Sequence, residues 1–171
     1  MNRTDPNHSI GRRSVSGGGD AQVFEMAQPI FRAIVAQWFH MGPSGSGAAM
    51  KLNTLLGLGM QAIAEAIALG EGLDLPRDLL IDTLAKTSVV APAHAGKLAR
   101  AKRNDYTPQF PIRLMRKDFG LILNEAERVG LSMPATQAAA TLNAEEAASG
   151  GEEDFSAVIR RMERANALHK V

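Results

Sequence analysis

The sequence contains no cysteine, only four histidines, almost no net charge and no long hydrophobic run, and each absence removes a class of function. Without cysteine there is no disulfide framework, no thiolate nucleophile and no Cys-ligated metal. His8, His40, His94 and His169 lie too far apart for a short-range ligand motif, so no metal is expected. Nineteen Lys and Arg against eighteen Asp and Glu leave a formal net charge of +1, so no strong field favours nucleic acid or an anionic membrane. No apolar run approaches bilayer-spanning length, and the polar opening MNRTDPNHSIGRRS lacks the hydrophobic segment of a secretion signal. A cytoplasmic protein without nucleic-acid or membrane partners is expected.

What is present is a globular composition, 45% hydrophobic and 22% charged over 171 residues, enough for one well-buried domain with a small appendage. Residues 1–19 are polar and glycine-rich and are expected to be loose. From Asp20, a plausible N-cap, Val23, Ala27, Ile30, Phe31 and Ile34 recur at helical spacing, with Pro29 placed to split or kink the helix. Trp38 and Phe39 read as a short extended piece before the glycine-rich GPSGSG, and the boundary is drawn after residue 42. From Ala48 to about Gly70 runs the longest helical signal, with Leu52, Leu56, Gly59, Ile63 and Ile67 on one stripe. Its many Gly and Ala suit a central helix approached closely by others. Helices opening near Pro76, Ala91, Pro111, Pro134 and Asp154 follow, with no β pattern after residue 42. The expected fold is all-α, a bundle of five or six helices around a long central one.

Lys51 falls in the first turn of that central helix, where the helix dipole disfavours its ammonium and lowers its pKa. On a wheel it lies roughly 90° from the buried stripe, which fits either a general acid–base lysine or a snorkelling side chain on a solvated flank. The glycine loop is not a P-loop, because Gly47 is followed by Ala48 and Ala49 rather than by Lys and Ser or Thr. Lys117 and Asp118 stand in RLMRKDFGL, where Asp118 faces the side of Leu114, Met115 and Ile122 and is the less exposed of the two. His94, in APAHAG with no acidic neighbour, reads as structural or exposed.

Four stretches in order carry a resemblance: SGGGDAQVFEMAQPIFRAIVAQWFHMGPSGSGAAMKL, AEAIALGEGLDLP, FPIRLMRKDFGL and GGEEDFSAVIRRMER. Together, over roughly residues 15 to 165, they resemble the β-hydroxyacid dehydrogenase family, which includes the 3-hydroxyisobutyrate and tartronate semialdehyde dehydrogenases. The resemblance implies a short remnant of a Rossmann domain and linker over 20–42, and a helical substrate and dimerisation domain over 43–171. It implies NAD or NADP as cofactor and a small β-hydroxyacid as substrate. Lys51 would be the catalytic proton donor or acceptor, Lys117 and Phe110 would meet the cofactor, Gly47 and Asn53 would lie on the substrate side, and Asp118 would anchor its helix. A homo-oligomer is the implied assembly.

The sequence departs from the family pattern in two places. The helper asparagine expected four residues after the lysine is Leu55 here, and Asn53 sits about 200° around a regular helix from Lys51. The dinucleotide glycine fingerprint has no clear counterpart, so the chain is expected to be a truncated form, inactive alone. The other expectation is a non-catalytic helical dimerisation or interaction module, which an exposed apolar face after residue 42 would favour.

Overall fold

The computed structural model describes residues 14–49 and 53–167, and forms two compact units divided between Lys51 and Leu52. The protein is mostly helical with a small two-stranded sheet.

The first unit is a β-α-α-β arrangement. Strand β1 (Ser14–Gly17) pairs in parallel with β2 (Gln37–His40), Ser14 opposite Gln37 and Gly17 opposite His40. The expectation of a loose segment is therefore corrected at Ser14–Gly17; SVSG is neither apolar nor alternating, and only its pairing with distant β2 makes it a strand. Between the strands, α1 (Ala21–Met26) begins at Asp20, whose carboxylate accepts the Gln22 and Val23 amides at 2.9 and 3.1 Å. The anticipated long helix breaks at Ala27, and α2 (Gln28–Ile34) restarts with Pro29 in its first turn, where a missing N–H costs nothing. A four-residue helix, α3 (Ser46–Ala49), closes the unit. It packs against β1 so tightly that a Cβ on Gly47 would lie 2.3 Å from the Ser16 carbonyl oxygen. That close approach binds the GPSGSG loop to the sheet within the first unit.

Among its described residues the second unit is a six-helix bundle. Helix α4 (Asn53–Gly72) runs through its centre, with Met60, Ala64 and Ile67 fully buried. By length and hydropathy Ser46–Gly72 does reach the range of a membrane span, contrary to the sequence expectation, but the core of the bundle takes up much of its apolar surface. Around it stand α5 (Arg77–Leu84), α6 (Pro92–Ala101), α7 (Ile112–Arg128), α8 (Pro134–Gly150) and α9 (Val158–Ala167), the last preceded by a 3-10 turn at Phe155–Ala157. Helix α9 makes the most extensive contact with α4, and α7 pairs with α8.

The small residues of α4 act where the sequence suggested. A Cβ on Gly57 would stand 2.3 Å from the Phe119 ring, and one on Gly59 would stand 2.5 Å from the imidazole of His94. These two glycines let α7 and α6 come close enough for side chains from both to touch the α4 backbone. His94 is buried, its Nε2 2.9 Å from the Leu56 carbonyl oxygen, which settles it as structural within the bundle.

Candidate active site

Within the second unit, Asn53 on α4 and Lys117 and Asp118 on α7 are the candidate residues that stand near one another. Lys51 lies outside the described residues, together with Met50 and Leu52. Asn53, two positions later in sequence, is the first described residue of α4, and its side-chain amide donates a short hydrogen bond to the carboxylate of Asp118 on α7. One turn further along α4, Gly57 receives the Met115 and Phe119 side chains of the same helix. The two contacts fix the first half of α4 against α7 at closest approach. Asn53 therefore directs its amide to Asp118, and Asp118 serves as a bridge between helices.

Lys117, next to that bridge, turns outward and is exposed, while Asp118 is half-buried. Among the described residues no ion pair involves Lys117, so its ammonium is available to an anionic partner. Beyond it along α7 lies a cleft of about 860 Å³, bordered by Gly120, Asn124 and Glu127 and closed by the Leu131–Pro134 turn. At 100° per residue those three α7 positions lie within about 80° of Lys117, so cleft and lysine share a face.

Phe110 precedes α7 and is half-buried, its ring edge-on to Phe155 at 6.0 Å and 80°. Its position is set by Asp154, a residue that sequence reasoning treated only as a helix cap. One carboxylate oxygen performs that role, accepting from the Ser156 amide at 3.2 Å and its hydroxyl at 2.8 Å. The other accepts from the Gln109 and Phe110 amides, at 2.9 and 3.1 Å, and from the ammonium of Lys97 at 2.6 Å. The Lys97 and Asp154 side chains are 11% and 2% exposed, so this is a buried ion pair. Burial pushes the Asp154 carboxyl up, but the hydrogen bonds from Lys97, Gln109, Phe110 and Ser156 outweigh it and hold it below its ordinary range. No local signal in APAHAGKLAR marked Lys97, because its partner lies 57 residues away.

A second charged cluster lies beside α9. Glu146, 1% exposed, is paired with Arg160 and Arg164, and Arg77 is paired with Glu163. Tyr106, under the Arg160 guanidinium, is pushed up to about 12 by burial and by the charge of Glu163. Among the described residues no group of three His, Asp or Glu side chains is arranged to hold a metal ion.

Residues 45–162 match the sequence family described as the NAD-binding domain of NADP-dependent 3-hydroxyisobutyrate dehydrogenase. The chain belongs to this family. Its relatives include glyoxylate/succinic semialdehyde reductase 1 of Arabidopsis thaliana, 33% identical over 152 residues that cover 87% of this chain and 53% of the relative. A probable 3-hydroxyisobutyrate dehydrogenase of Mycobacterium bovis is 32% identical over 154 residues, covering 85% and 52%. Among solved structures, the Mycobacterium tuberculosis 3-hydroxyisobutyrate dehydrogenase with L-serine superposes with a TM-score of 0.73 at 31% identity, over 85% of this chain and 53% of that one. The family is one of NAD(P)-dependent hydroxyacid dehydrogenases, and a nicotinamide cofactor goes with it. The chain spans about half the length of these relatives. It is also 33% identical over 124 residues to a Drosophila melanogaster protein named cytokine-like nuclear factor N-PAC, covering 71% of this chain and 21% of that one.

Proposed function

We propose that the chain is the helical, substrate-side portion of an NAD(P)-dependent β-hydroxyacid dehydrogenase, with Lys51 as the proton donor or acceptor at the substrate hydroxyl. The observation that carries this is the Asn53–Asp118 hydrogen bond, which ties the start of α4, two residues after Lys51, to the α7 turn that bears Lys117. In the proposal NAD or NADP supplies or accepts the hydride. Lys117, exposed and without a carboxylate partner among the described residues, contacts the cofactor, and the half-buried Phe110 at the head of α7 meets it as well. In this reading Gly47 belongs to the substrate side. Acid–base chemistry of this kind needs a proton-transfer group at the hydroxyl while the hydride moves, and it needs no metal.

In this reading the chain, which spans about half the length of its relatives, shows no turnover alone. The test is to join it to the portion of the Salmonella typhimurium 3-hydroxyisobutyrate dehydrogenase that the structural match does not cover, and to assay small β-hydroxyacids with NAD and NADP. Nucleotide reduction with one of these acids supports the reading. A folded chimera that binds nucleotide and turns over none of them overturns it.

A second reading is favoured by the surface. Leu69 on α4 and Leu73 just after it are each 67% exposed, and with Ala68 and Met162 they line a groove of about 390 Å³. Exposed apolar side chains at that density mark an interface, and a second copy of this chain is the proposed partner. Sedimentation at micromolar concentration tests it: a dimer or larger species supports the interface, and a monodisperse monomer excludes it.

A further inference from the structure

We propose that Lys97 and Asp154 are a positioning pair for Phe110, holding its backbone and its ring in one fixed place at the head of α7. The proposal rests on the reading above in one respect, that Phe110 meets the bound cofactor.

Three segments distant in sequence meet at this pair. The Asp154 carboxylate accepts both the Gln109 and the Phe110 amides, which fixes the backbone just before α7. Main-chain bonds close around the same segment: the Asp154 amide donates to the Tyr106 carbonyl at 2.9 Å, the Phe155 amide to the Phe110 carbonyl at 3.0 Å, and the Ile112 amide to the Glu153 carbonyl at 2.8 Å. Lys97 then acts twice. Its ammonium binds the Asp154 carboxylate and also lies 5.2 Å above the Phe155 ring, which meets the Phe110 ring at 80°. One buried cation thus steadies Phe110 through its amide, by way of Asp154, and through its ring, by way of Phe155.

A buried ion pair gives little net stability over an apolar pair of the same volume, whereas its hydrogen bonds impose direction. Only a carboxylate can serve this site. Each of its oxygens faces donors alone, Ser156 on one side and Lys97, Gln109 and Phe110 on the other. An asparagine would turn an NH2 group toward one of the two sets and lose it as an acceptor.

The test is amide hydrogen exchange on the full chain by NMR, comparing Asp154→Asn with the unsubstituted protein. Gln109 and Phe110 are expected to lose at least about tenfold more protection than Met60 and Ile67 at the centre of α4. If that variant does not fold, Lys97→Met with Asp154→Asn, which leaves no charge buried alone, takes its place with the same expected loss. In the chimera described above, Lys97→Met is expected to raise KM for substrate or nucleotide about tenfold or more, with kcat per folded molecule little changed. An equal loss of protection at all four amides, or unchanged protection at Gln109 and Phe110, overturns the proposal. So does an unchanged KM in an active chimera. An inactive unsubstituted chimera would instead sink the dehydrogenase reading, and the exchange measurement would still decide the clamp.

Discussion

Asn53, where the described part of α4 begins, donates its side-chain amide to the carboxylate of Asp118 on α7, sixty-five residues further along the chain. Helix α4 and the helix that carries Lys117 are joined at this point, and Gly57 brings them into contact one turn later.

Asp118→Ala removes the acceptor and leaves the half-buried Asn53 amide without it. A hydrogen bond to a charged group contributes on the order of 1.5–3 kcal/mol, so urea denaturation should show a loss of that size. Asp118→Asn keeps an acceptor oxygen and should cost clearly less. Equal stability of Asp118→Ala and the unsubstituted protein would mean that the bond is absent in solution.

Gly57→Ala places a methyl group 2.3 Å from the Phe119 ring, inside the fully buried layer between α4 and α7. Overpacking of this kind costs about 1–3 kcal/mol, against a helix-propensity gain of about 1 kcal/mol, so a net loss is expected. Gly120→Ala on the exposed face of α7 meets nothing within 4 Å and should stabilise. Thermal melts of the two variants should therefore move in opposite directions.

The pattern of what the sequence revealed follows from the range of the interactions. Periodicity and punctuation are local, and they placed α4 through α9 close to where they stand, down to Pro111 ahead of α7 and Asp154 as the cap of the last turn. The glycines of α4 signalled close helix approach without saying which partner arrives, and only the fold shows Phe119 and His94 filling those places. Strand β1 and the Lys97–Asp154 pair stayed hidden, because each depends on a partner many residues away and on no pattern of its own. The packing of the glycine loop was equally hidden, because Gly47 owes its place on β1 to a contact with Ser16 that no local pattern announces.

Tyr106 is the single tyrosine of the chain, so its ionisation can be read directly from phenolate absorbance. Burial and Glu163 raise its pKa to about 12, above an ordinary value near 10. A phenol whose folded pKa is raised contributes stability that is whole below the unfolded value and is lost as pH rises through the folded one. The phenolate signal of the native chain should therefore appear near pH 12, with stability falling from about pH 10 upward. A titration midpoint near 10 in the folded protein would show the ring to be solvated.

The central claim is that Lys51 moves the substrate proton, and it is tested most directly in the chimera bearing Lys51→Ala, assayed beside Lys117→Ala. Loss of a group that acts mainly in the transition state lowers kcat, by about 10²–10⁴-fold for general acid–base catalysis, while nucleotide affinity is kept. Loss of Lys117 should instead raise KM for the nucleotide and spare most of kcat. The account predicts that division of effects between the two lysines. Turnover by the Lys51→Ala chimera within a few-fold of the parent would contradict it.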